Sequence, residues 1–171
     1  MAQTSSLIGA DLSGLGNATA LFATGTIAYG TNGQEWQYCE ATATLITGEF
    51  VLINANNTAK ILTTARLTAF SLGYDIGVAQ NLVNQGEFAW MIKRGRQVYV
   101  LTSASLTAAG DTSCGVGFGA NSGRLIAGTN IAVGNSLLGC WITSSVLTAD
   151  YAPGVPTLAT LQWPRIPIVG G

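Results

Sequence analysis

The stretch IGVAQNLVNQGEFAWMIKRGR, Ile76 to Arg96, ends in Lys93, Arg94 and Arg96, three of the chain's seven basic residues, directly behind Phe88 and Trp90. Such a cluster has two readings. Charges collected at strand ends and in a turn around Gly95 would be solvated and individually worth little. Alternatively they form an exposed basic knuckle that docks on an acidic partner, a role for which Arg is enriched at protein interfaces. Concentrating so few charges in one turn gives it a local field that the rest of the surface lacks. Lys93, Arg94, Arg96 and Trp90 are therefore the candidate contacts with a partner or a second subunit.

Other chemistry is thinly provided for. The chain has no His, which removes the commonest general base and metal ligand and, with it, Ser-His-Asp and Cys-His arrangements. Glu35 and Glu40 flank one strand but stand five apart, so alternation aims them at opposite faces and they cannot pair as glycosidase carboxylates. Cys39, Cys114 and Cys140 are odd in number and lack CxxC spacing, so a zinc site would need three isolated thiolates and a carboxylate. Buried free thiols are the expected role, in a reducing compartment. The glycine-rich GVGFGANSGR, Gly115 to Arg124, has no preceding strand and following helix with a Lys-Ser/Thr pair, as a phosphate cradle needs, and reads as a bulged turn whose glycines take positive φ. The expectation is a protein that is not an enzyme, with no catalytic residue, metal or cofactor.

Composition points the same way. Charged residues make up 9% of the 171 positions, against about 25% in an average soluble domain. Disorder would show the opposite pattern, because 48% of the residues are hydrophobic and the net charge is −1. So little net charge is unusual for a lone soluble monomer, and the expected explanation is surface that another subunit covers. Nucleic acid is not an expected partner, since counterion release needs many Lys and Arg on one face. Nor is a membrane: the uncharged stretch from Leu125 to Ala149 is broken by Thr129, Asn130, Asn135, Ser136, Thr143, Ser144, Ser145 and glycines before an apolar span is reached. MAQTSSLIGADLSGLG lacks a basic leader region and is not read as a secretory signal.

These residues must be positioned by strands. Residues 1–24, rich in Gly, Ser, Ala and Thr, read as an extended N-terminal arm, either frayed or ordered against a neighbouring subunit. From Gly25 to the end, residues 25–171, short apolar runs alternate with turn dipeptides. Thr26–Tyr29 and EWQYCEA flank the Asn32-Gly33 hairpin signal, with Trp36 and Tyr38 on one face of the second strand. EFVLINA carries apolar residues on both faces and should be covered on both. Further strands are expected at Ile76–Asn81, Phe88–Lys93, Val98–Leu101, Cys114–Phe118, Leu125–Ile126, Leu138–Thr143 and Thr157–Trp163, with a helical turn at Ala65–Leu67. The Ile76–Lys93 and Leu138–Arg165 regions also share a faint two-strand pattern that ends on a basic residue. The fold class is all-β: a small β-barrel or sandwich of short antiparallel strands.

From Gly25 onward, about 85% of the length, the motif order resembles that of a family of bacteriophage head proteins, the decoration or cement proteins of the capsid. The matching pieces are GTIAYGTNGQEWQYCEATATLITGEFVLIN, SLGYDIGVAQ, GEFAWMIKRG and the TLATLQWPR ending. The first 24 residues lie outside the pattern, and Ala89 stands where Gly is common before Trp90. The resemblance implies a structural virion protein made in the bacterial cytoplasm and located on the capsid surface. Its implied partners are the major capsid protein and its own copies in a homotrimer. The expectation from another class is a receptor- or glycan-binding tail or fibre module, in which Trp36, Tyr38, Trp90 or Trp141 would stack on sugar rings.

Overall fold

The computed structural model describes residues 11–12, 14–63, 74–102, 114–116, 122–127, 136–143 and 156–165. Among the described residues the apolar runs become ten strands: β1 (Ile27–Tyr29), β2 (Glu35–Ala41), β3 (Phe50–Ile53), β4 (Thr58–Ile61), β5 (Asp75–Ala79), β6 (Phe88–Leu101), β7 (Cys114–Val116), β8 (Leu125–Ala127), β9 (Ser136–Ile142) and β10 (Pro156–Arg165). Among the described residues the one helical element is a 3-10 turn, Thr31–Gly33. The all-β expectation holds. The Asn-Gly signal is the β1–β2 hairpin: Asn32 at φ 60 and Gly33 at φ 69 reverse the chain, and Ile27 pairs with Gln37.

The strands lie in the order β1-β2-β4-β3-β5-β6-β10-β9-β7-β8, and β2 also pairs with β6. That extra pairing closes β2, β4, β3, β5 and β6 into a hydrogen-bonded ring, while β10, β9, β7 and β8 continue beyond it. Closure leaves those five strands no unpaired edge within the ring. The described strands pair antiparallel except β2–β4, where Glu40 meets Thr58 and Ala41 meets Ala59 in parallel; an isolated bridge, Thr102 to Leu125, is parallel too.

Strand alternation sorts the ring's side chains into two clusters. Cys39, Ala41, Val51, Ile53, Ala59, Ala79, Ala89 and Met91 form one, joined by Leu45 and Val83. It draws on all five ring strands and on none of the others, which places it inside the ring. Mostly small side chains suit that interior, because a closed ring of few strands has little room. Trp36, Tyr38, Phe50, Leu52, Ile76, Val78, Trp90 and Ile92 point the other way and join Leu137, Cys140, Ile142, Ala159 and Leu161 from β9 and β10. So β3 is buried on both faces, as its sequence implies. The EWQYCEA strand departs from its alternation: Gln37 and Cys39, on the face opposite the aromatics, are buried as well.

The described part of residues 1–24 lies against the chain's own strands. Asn17 and Phe88 exchange backbone hydrogen bonds of 3.0 and 2.8 Å, the Leu21 N–H donates to the Tyr38 hydroxyl at 3.1 Å, and Leu12 is buried.

One expected boundary is corrected. No turn separates Phe88–Lys93 from Val98–Leu101: β6 runs through Gly95 without a break for 14 residues. Its first half pairs with β2 and β5, its second half with β10. The change of partner is absorbed by an irregularity in which Ala159 faces Val98 but Leu161 faces Gly95, giving β6 one residue more than β10 over that interval. Gly95 at φ 137 and Gln97 at φ 58 take up the bulge. Apolar residues on both sides of RGR let the strand continue once β10 supplies the missing ladder, which a local reading of Gly and charge does not anticipate. The expected helical turn at Ala65–Leu67 and most of the Gly115–Arg124 loop lie outside the described residues. At that loop's end, Gly123 takes φ 72 as expected, its N–H bonded to the Leu62 carbonyl.

Gly95→Ala is expected to destabilise the protein by about 2–3 kcal/mol, because a left-handed backbone is combined with a collision against Gln34. Gly86→Ala has similar backbone strain at φ 83 but nothing within 4 Å, so it should cost only about 1 kcal/mol. Urea denaturation of the two variants checks the difference.

Candidate functional site

The four residues singled out from sequence go to three different places. Lys93 shares the inward-facing parity of Ala89 and Met91, and its ammonium closes one mouth of the ring. Its Nζ donates to Asp75 Oδ2 at 2.6 Å and to Gln37 Oε1 at 3.1 Å. Gln37 Nε2 in turn donates to Asn57 Oδ1 at 2.9 Å. The Lys93 side chain is 12% exposed, so this cation belongs to a structural network. Below it, burial pushes the Cys39 thiol up to about 12, against a small opposing pull from Lys93; the thiol stays protonated and unreactive.

Trp90 is also buried, but on the outer face of the ring. Its ring is 5.0 Å from Tyr38 and 5.2 Å from Phe22, and Phe22 meets Tyr38 edge-on at 5.3 Å. Such contacts contribute about 0.5–1.5 kcal/mol each beyond area burial. Tyr38 and Trp90 form the floor of a 450 Å³ pocket roofed by Gly14, Leu15, Asn17 and Leu21. Of the aromatics considered for sugar stacking, Trp36, Tyr38 and Trp90 are buried, while Trp141 is half-buried.

Arg94 and Arg96 are exposed and line one cleft of about 360 Å³, walled by Asn32 and Gly33 on one side and Thr160, Leu161 and Gln162 on the other. The Arg94 guanidinium carbon lies 4.2 Å from the centre of the Trp163 ring. Glu35 stands opposite Arg94 in the β2–β6 ladder, yet neither Arg94 nor Arg96 forms an ion pair with a described residue. Among the described residues, Arg94 is therefore held by its stacking on Trp163, with no hydrogen-bond or ion-pair partner for its N–H groups. A second bulge puts Trp163 there. Leu161 pairs with Cys140 but Arg165 with Leu138, so β10 carries two residues more than β9 over that interval. Gly139 at φ 80 makes this room, since a Cβ there would collide with the Gln162 carbonyl oxygen. Trp163 sits at φ 44 immediately before Pro164, a conformation disfavoured for a bulky residue and for any residue preceding proline. Strain of this kind concentrates at binding sites.

Trp163 is the residue that sequence reading passes over, as the end of a strand. Its signal was QWPR, an aromatic residue between a polar residue and a proline in a strand that should otherwise continue. Among the described residues no three His, Cys, Asp or Glu side chains gather around a metal-sized point. The sequence matches no family model, and no curated protein matches it.

Three outcomes follow from this geometry. Lys93→Ala should cost about 1–2 kcal/mol by orphaning Gln37, whereas Arg94→Ala should cost less than about 1 kcal/mol; chemical denaturation separates them. Cys39 should resist iodoacetamide in the folded protein at pH 8 and react on unfolding, read by peptide mass spectrometry. Burial raises the pKa of Glu49, although the Ile46 N–H donates to its carboxylate at 2.9 Å. The folded state therefore binds that proton more tightly, and stability falls as pH rises from the ordinary carboxylate value through the raised one. Glu49→Gln should remove that slope, so its thermal midpoint should gain on the parent's between pH 4 and pH 7.

Proposed function

We propose that the chain is a non-enzymatic structural protein of a bacteriophage particle that binds the outer face of the assembled capsid and reinforces it, acting as a homotrimer. The observation that carries this reading is the character of the exposed surface. Leu15, Leu21, Tyr29, Leu82, Tyr99, Leu138 and Trp163 are each between 43% and 72% exposed in a chain of which only 9% is charged. Single exposed apolar residues are ordinary. Leu15 and Leu21, however, flank the mouth of one pocket and Trp163 stands at the edge of another cleft, and grouped apolar exposure rimmed by polar atoms marks a surface built to be covered by protein. The motif order from Gly25 to the QWPR ending supports the capsid as the thing covered.

Buried rings at Trp36, Tyr38 and Trp90 favour this reading over a glycan-binding fibre module, which needs open aromatic faces. The test combines size-exclusion chromatography with light scattering and co-sedimentation with purified capsids of the encoding phage. A trimer that pellets with capsids and saturates at a fixed ratio to their capsomers or three-fold positions is expected. A stable monomer that stays in the supernatant would sink the proposal.

A further inference from the structure

The geometry points to a carboxylate-reading site in the cleft between β6 and β10, where Arg94, braced on Trp163, and Arg96 seat an acidic side chain of a partner protein. This rests on the reading of the chain as a protein that docks on another protein's surface, and it names the chemistry of one contact.

Two irregularities that face each other build the site. The β6 bulge at Gly95–Gln97 sets Arg94 and Arg96 on the same cleft although a positive-φ glycine stands between them. The β10 bulge swings Trp163 outward until its ring lies under the Arg94 guanidinium. The far wall is stiffened as well: Asn32 Nδ2 donates to Gln97 Oε1 at 3.0 Å, tying the β1–β2 turn to the bulge, and Gln34 Nε2 donates to the Arg96 carbonyl at 3.2 Å.

The ligand class follows from charge and shape. A guanidinium stacked on an indole keeps its in-plane N–H donors directed outward, and that planar fork matches a carboxylate with two parallel hydrogen bonds. Stacking also restrains the arginine before binding, which lowers the entropy lost on contact. Lys93, the third member of the sequence cluster, is excluded because Asp75 and Gln37 already hold it. The basic group is thus a pair of arginines braced by a tryptophan that lies about 70 residues away in the chain.

The test is a titration of the full ¹⁵N-labelled chain with an acetylated, amidated oligoglutamate peptide, followed on the arginine Nε–Hε resonances. Arg94 and Arg96 should shift saturably while Arg124 stays in place. Trp163→Ala and Arg94→Lys should each weaken the apparent affinity about three- to fivefold, with far-UV circular dichroism unchanged. Arg94→Lys keeps the charge and loses the planar fork, so it separates stacked bidentate recognition from general attraction. Linear shifts equal to those from sodium chloride at matched ionic strength would overturn the proposal. So would equal saturable shifts with inorganic phosphate, which would make the cleft a generic anion site, or an affinity indifferent to both substitutions. No capsid enters this titration. A chain that binds the peptide but not capsids therefore overturns the decoration reading alone, and one that binds capsids but not the peptide overturns the cleft assignment alone.

Discussion

The structure depends on one strand serving both the ring and its extension. β6 supplies the pairing with β2 that closes the ring, and then supplies the pairing with β10 from which the sheet continues beyond it. A strand cannot do both while remaining straight, because right-handed twist turns its hydrogen-bonding edges away from one set of partners as it approaches the other. The bulge at Gly95–Gln97 resolves the conflict by inserting a residue and sharpening the local twist. Gly95 is required there because its φ of 137 is open to glycine, and because Gln34 fills the space where a side chain would go.

Two packing consequences follow from that closure. The ring interior is filled mostly by small side chains: Cys39, Ala41, Ala59, Ala79 and Ala89 meet there with Val51, Ile53 and Met91. Larger residues are turned outward, where Trp36, Tyr38, Phe50 and Trp90 find β9, β10 and the N-terminal segment. The mouth of the ring is closed by Lys93, Asp75, Gln37 and Asn57 hydrogen-bonded in series. A largely covered cation is tolerated there because its partners satisfy it, and Asp75 still reaches solvent.

Strand alternation divides the run of basic residues: Lys93 goes to the ring mouth, while Arg94 and Arg96 line one surface cleft across the bulge. A matching irregularity in β10, accommodated by Gly139, delivers Trp163 to Arg94 at the cost of a left-handed tryptophan. Strained backbone and an open cation therefore coincide in a chain whose surface is otherwise short of charge. The proposed docking on a capsid is supported instead by the exposed leucines beside the aromatic pocket and by the order of the strand motifs.

Much of the fold was legible in the sequence. Period-two alternation and the Asn-Gly turn marked β1, β2 and β3 within a residue or two, because strand burial and hairpin reversal are set by neighbours along the chain. The burial of Phe50 to Ile53 on both faces could be read directly, since every position there is apolar. The absence of His likewise limited the available chemistry before any geometry was known. Only the tertiary structure decided where the charges went. Whether Gly95 ends a strand or bends it depends on whether a distant strand is present to complete the ladder, and β10 lies some 60 residues further on. Trp90 read as a contact residue and is buried, because Phe22 and Tyr38 come from elsewhere in the chain to cover it. The Arg94–Trp163 pair could not be read from spacing at all, since both bulges must be in register before a guanidinium and an indole that far apart in sequence can meet.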